Sequence, residues 1–101
     1  MSDFVRVAGT TDVKLGSGMV AEVNGKTLAV FNVDGTFHVI DNTCVHRGGP
    51  LGEGDVEGNV VTCPWHGWQF NVKTGTCVNN PAAKVTAYEV KVEGDNIHVR
   101  L

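Results

Sequence analysis

Residues 44–70 read CVHRGGPLGEGDVEGNVVTCPWHGWQF, and the spacing of four side chains in this stretch governs how the rest of the chain is read. Cys44 and His46 make one short pair and Cys63 and His66 a second, with the sixteen residues 47–62 between them. Each pair offers one thiolate and one imidazole, so the two segments together supply a Cys₂His₂ ligand set. A lone cysteine or histidine is usually a buried thiol or a core imidazole; four at paired spacing point to a metal. Zinc accepts this composition, yet zinc-finger spacing puts cysteine with cysteine and histidine with histidine. Here each loop is mixed. A binuclear iron–sulfur cluster in which two imidazoles replace two thiolates on one iron asks for one ligand to each iron from each loop.

The doubled motif, continued as CPWHGWQFNVKTG and interspersed with Gly48, Gly49, Gly52, Gly54 and Gly58, resembles the Rieske [2Fe–2S] family. The similarity extends over nearly the whole chain, because the flanking strand patterns and the Gly-Gly-Pro-Leu segment also fit. The resemblance implies one [2Fe–2S] cluster per chain, with Cys44 and Cys63 on one iron. His46 and His66 would then bind the other through neutral ring nitrogens, exposing their outer edges as the electron's exit. Arg47, Trp65 and Trp68 neighbour that exit as a docking rim, or serve as a solvated charge and two packing aromatics. Gly48, Gly49 and Gly67 are candidates for close backbone approach to the bridging sulfides. Pro50 matches the proline of the family's covering loop. Cys77, outside both loops, reads as a small buried hydrophobe, and His38 and His98 as ordinary strand residues.

Outside the motif the chain reads as all-β. Residues 4–8 form a first strand and 10–18 a connection. Strands at 19–23, 27–33 and 36–40 are joined by Asn24-Gly25 and Asp34-Gly35, two-residue turns whose positions need φ > 0. Val60–Thr62 and Gln69–Val72 flank the second ligand loop, and residues 76–78 are expected to pair back after a turn at Thr74-Gly75. Pro81-Ala82-Ala83 is a connector. Ala87–Val92 alternates, which places Tyr88, Val90 and Val92 toward the core, and Ile97, Val99 and Leu101 close a last hairpin. About nine short strands with glycine turns indicate an antiparallel β-sandwich or barrel. A small cluster-binding subdomain, about residues 42–72, is formed by the two loops.

At 101 residues and 42% apolar composition, the chain has enough material for one core, so residues 1–101 are expected to be a single domain. Eight basic against eleven acidic residues give a net charge of −3, and no basic patch interleaved with aromatics suggests nucleic acid. The start MSDFVRVAGTT has neither a basic nor an apolar leader region. No run approaches the roughly 18 apolar residues of a membrane span. A soluble, cytoplasmic protein is expected, in which thiols stay reduced and serve as ligands.

The function implied by the resemblance is one-electron transport without catalysis. As in bacterial aromatic-ring dioxygenase systems, a flavin-dependent reductase would donate the electron and a terminal oxygenase accept it. The alternative is the small subunit of an assimilatory nitrite reductase, which would co-purify with a large sirohaem-containing subunit. A self-contained oxygenase would need a 2-His-1-carboxylate iron site, for which only His38 and His98 remain. A structural zinc module would be colourless rather than red-brown.

Respiratory and photosynthetic relatives place a disulfide between the loops, at positions that correspond to Gly49 and Trp65 here. They also place serine and tyrosine hydroxyls two and four residues after the second histidine, where this chain has Trp68 and Phe70. Hydrogen bonds to cluster sulfur favour the reduced, more negative state. Without these two, the reduction potential is expected near the low end of the family range, about −150 mV rather than +300 mV. A redox titration followed by visible circular dichroism checks this, and a clearly positive midpoint contradicts it.

Overall fold

A computed structural model of the chain describes residues 4–43, 50–65, 67–80 and 82–100. Among these residues the strands are β1 (Phe4–Gly9), β2 (Gly18–Val23), β3 (Lys26–Val33), β4 (Thr36–Asp41), β5 (Asp55–Glu57), β6 (Val60–Thr62), β7 (Gln69–Asn71), β8 (Ala87–Glu93) and β9 (Asn96–Arg100). A single 3₁₀ turn, Leu51–Glu53, precedes β5. The meander β2–β3–β4 forms because its two connections accept the required backbone. Asn24 and Asp34 sit at φ 50° and 52°, followed by Gly25 and Gly35 at 80° and 88°. That geometry matches the right-handed twist of the strands it joins.

Two sheets result. The larger runs β1-β9-β8-β4-β3-β2, antiparallel throughout, and its outer strands β1 and β2 come together to nearly close a barrel. The smaller runs β5-β6-β7. Successive side chains of a strand point to opposite faces, and along β3 both faces are covered. Leu28 and Val30 face into the barrel with Val39, Ile97, Val99, Ala8 and Val13. Ala29 and Phe31, with Ile40 of β4, face outward and pack against Leu51, Val61, Phe70, Val72, Cys77 and Val85. The small sheet is therefore seated on the barrel wall through a second apolar core.

The all-β expectation holds, and so do the tight turns. The segment 51–57 departs from it. Given no strand by the sequence, it contains the 3₁₀ turn and β5, because three residues are too few to show a period. Residues 76–78 pair back only through isolated bridges, Cys77 with Phe70 and Thr76 with Lys84. Val92 is 45% exposed. It pairs with the fully buried Ile97 and so keeps the core-side face of β8 that alternation predicts, but it is left uncovered there. Alternation gives the face of a strand but not where along it the core ends. Leu101 and Pro81 lie outside the described residues.

Phe31 is fully buried at the junction of barrel and small sheet. Phe31→Ala is expected to cost about 3–5 kcal/mol, a large part of the roughly 5–15 kcal/mol available to such a domain. Guanidinium unfolding of the holoprotein measures it.

Candidate metal centre

Of the four sequence-predicted ligands, Cys63 is described, and Cys44, His46 and His66 lie outside the described residues. Cys63 follows the last residue of β6, is a free thiol and is only 1% exposed. Its N–H donates to the Trp68 carbonyl at 2.7 Å, and its own carbonyl accepts the Gly67 N–H at 3.1 Å. These two bonds close residues 63–68 into a tight loop above the Thr62–Gln69 pair that ends the β6–β7 ladder. Gly67 has φ +73°, a region L-residues avoid, so its glycine identity answers to the turn. Its N–H is already given to Cys63, which corrects the expectation that it is directed at a sulfide. Gly48 and Gly49, the other two candidates for that role, are outside the described residues, as is Arg47.

The root of the first loop is closed by Asn42. Its carbonyl accepts the Leu51 N–H and its side-chain Oδ1 accepts the Gly52 N–H, both at 2.7 Å. Thr43 bridges Pro50 across the same gap, so the segment carrying Cys44 and His46 leaves and rejoins the body at one point. The two roots are neighbours. Asp55, just past the first loop's exit, is paired with Thr62, the residue before Cys63, and Leu51 and Cys63 share one apolar core. An asparagine also braces the second root: Asn79 Oδ1 accepts the Gln69 N–H at 2.6 Å.

The surroundings fit the sequence reading where they are described. Phe70 is fully buried, Trp68 packs on the same core, and Trp65 stands 58% exposed at the second loop. Cys77 is 1% exposed among apolar side chains, the small buried hydrophobe expected. His38 is half-buried on β4 opposite Phe31. Its pKa is lowered by burial and, secondarily, by the charge of Lys73. Sequence reasoning missed Asp41, Asn42, Asn79 and Tyr88. The available signal was Asp41-Asn42 itself, short polar side chains at a strand end, which habitually bond to nearby backbone.

Asp41 secures the outer side of the first root. Its Oδ1 accepts the Tyr88 hydroxyl at 2.6 Å and its Oδ2 the Thr86 N–H at 3.2 Å, while its own N–H donates to the Thr86 carbonyl at 3.0 Å. Lys26 Nζ lies 5.8 Å from the centre of the Tyr88 ring. Burial first, then the bond to Asp41 and its negative charge, push the Tyr88 hydroxyl up to about 12.

A site for an iron–sulfur cluster needs a reduced, water-shielded thiolate beside a second loop. Cys63, free and covered, with the first loop's root against its strand, meets that requirement. The chain matches the Rieske [2Fe-2S] domain family over residues 3–92. It is 30% identical over 100 residues to the ferredoxin component of the naphthalene 1,2-dioxygenase/salicylate 5-hydroxylase systems of a Ralstonia species, covering 98% of this chain and 96% of that protein. The solved ferredoxin of carbazole 1,9a-dioxygenase from Nocardioides aromaticivorans IC177 superposes with a TM-score of 0.89 at 31% identity, covering 97% of each chain. A ferredoxin solved in complex with the reduced oxygenase of carbazole 1,9a-dioxygenase gives a TM-score of 0.86 at 30% identity, covering 99% of this chain and 94% of that one.

Tyr88 is the chain's one tyrosine, so the phenolate rise in a difference titration belongs to it alone. An unfolded tyrosine ionises near 10, whereas the folded one keeps its proton to about 12. The stabilisation is therefore complete below pH 10 and is lost as pH rises from about 10 to 12. Alkaline titration of the folded protein is expected to place the phenolate transition near pH 12. Tyr88→Phe is expected to flatten the loss of stability across that window.

Proposed function

This chain belongs to the Rieske [2Fe-2S] domain family, and from that premise we propose that Cys44, His46, Cys63 and His66 hold its cluster. The chain is a Rieske ferredoxin of the kind found in aromatic dioxygenase systems, an electron-transfer component that passes electrons to a terminal oxygenase and is not itself the catalyst. The observation that carries this function is the end-to-end match to ferredoxins at about the same length. Residues 1–101 are read as one cluster domain. The electron donor is read as a flavin-dependent reductase, and the compartment as the cytoplasm; no described helix is long and apolar enough to cross a membrane.

When bound, the cluster supplies reversible one-electron chemistry. The residues around it set the conditions. Cys63 would hold its iron from a covered position at the head of a hydrogen-bonded turn, which keeps water from that thiolate. Phe70 fills, with a ring and no hydroxyl, the place from which higher-potential relatives donate a hydrogen bond. Trp65, exposed one residue before His66, offers an apolar contact for the oxygenase. A brief encounter needs only a small interface.

Replacing His46 or His66 with alanine is expected to abolish the reduced-state paramagnetic resonance signal and the visible spectrum, with loss of acid-labile sulfide. Cys77→Ala, outside both ligand loops and packed in the core, is expected to retain both. Wild-type spectra from either histidine variant, or one zinc and no sulfide in reconstituted wild-type protein, refute the ligand assignment. Electron transfer from a flavin reductase to an aromatic-ring oxygenase, reconstituted with this protein as the limiting component, tests the function.

A further inference from the structure

Two asparagines of the barrel are buried to the same extent, 7% exposed each, and both bind backbone through their side chains. Asn32 sits near the far end of β3, where its Nδ2 donates to the Val13 carbonyl at 3.0 Å and its Oδ1 accepts the Gly35 N–H at 3.0 Å. It pins a surface connection and a turn. Asn42 sits at the root of the first ligand loop, two residues before Cys44, and its bonds reach both sides of that loop. Its N–H donates to the Thr27 carbonyl on β3 at 3.2 Å, and its carbonyl and Oδ1 take the Leu51 and Gly52 N–H groups.

Gly52 is itself tightly seated. A Cβ at this position would lie 2.7 Å from the Met19 carbonyl oxygen and 2.8 Å from Val20 Cγ2, so the segment receiving the Asn42 bond is pressed against β2. Asn42 thus ties the loop's entry and exit to each other and, through them, to β2, β3 and β4. A buried N–H left without its acceptor carries a desolvation penalty, and the Gly52 N–H escapes that penalty by moving toward water. Such a movement takes the exit of the loop with it.

We propose that Asn42 is a positioning residue for the cluster: its side-chain oxygen holds the loop bearing Cys44 and His46 in the geometry that binds iron. The proposal rests on the ligand assignment above and adds a residue that touches no iron. Partners that orient ligands typically govern metal affinity by about 10–100-fold, more than their share of fold stability suggests. Asn32 provides the internal comparison, being equally buried, bonded to backbone through two side-chain hydrogen bonds where Asn42 has one, and attached to no ligand loop.

The test compares reconstituted holoprotein of wild type, Asn42→Ala, Asn42→Asp and Asn32→Ala. It measures urea unfolding, the rate of cluster loss to a chelator, and the line shape of the reduced-state paramagnetic resonance. Asn42→Ala, which removes one side-chain bond, is expected to lower stability no more than Asn32→Ala, which removes two. Only Asn42→Ala should shift the line shape and lose its cluster about tenfold faster or more. Asn42→Asp, which keeps an oxygen for the Gly52 N–H, should restore the wild-type line shape. The proposal is overturned if Asn42→Ala has the wild-type line shape and loses its cluster no faster than Asn32→Ala. It is equally overturned if Asn42→Asp behaves as Asn42→Ala does. Should Asn42→Ala give no folded protein, Asn42→Ser, whose shorter hydroxyl falls short of the Gly52 N–H, takes its place with the same outcomes. Failure of the ligand assignment looks different: His46→Ala or His66→Ala would then keep a wild-type spectrum, whatever happens at residue 42.

Discussion

The structure depends on β3 having no solvent face. Leu28 and Val30 complete the barrel interior, while Ala29 and Phe31 on the other side form the floor on which the small sheet rests. Where a strand is buried on both faces it needs apolar side chains in succession, and LAVF, residues 28–31, provides them. The same strand has edges as well as faces. On one it pairs with β2, on the other with β4, so the hydrogen-bond ladder and both cores converge on a single segment. Apolar burial is worth about 25 cal/mol for each Å² removed from water. Phe31 and its neighbours thus bind the small sheet to the barrel without any disulfide among the described cysteines.

From that floor the ligand loops acquire their placement. Leu51 and Cys63 both enter the core built on Phe31, one at the exit of the first loop and one at the start of the second. Burial alone would leave each loop free to pivot about its root. Hydrogen bonds fix the described roots: Asn42 and the Thr43–Pro50 bridge at the first, and the bonds of Cys63 with Trp68 and Gly67 at the second. Asp41, bonded to Tyr88 and Thr86, adds a brace from β8. The ends of two loops distant in sequence are in this way referred to one rigid wall, which is what a binuclear cluster drawing ligands from both requires.

The same arrangement accounts for what the site lacks. The positions that carry hydroxyls in higher-potential relatives hold Trp68 and Phe70, whose rings are committed to packing. Trp65, where those relatives have a bridging cysteine, turns to solvent.

What the amino-acid sequence by itself determined is local or periodic. Asn24-Gly25 and Asp34-Gly35 dictate two turns because few other pairs tolerate positive φ at both positions. Alternation over 87–92 declares a strand, and the two mixed Cys–His pairs carry the ligand set proposed above. The assignment of Cys77 to the core also followed from its strand setting. Tertiary structure alone decided the rest. Val92 stays exposed on the face that its partner Ile97 buries, β5 exists because β6 was there to pair with it, and Gly67 gives its N–H to Cys63 because the turn is closed that way. The role of Asn42 belongs to the same class. Its bonds to Leu51 and Gly52 span a loop whose path the sequence does not state, and a hydrogen bond depends on where both partners end up in space.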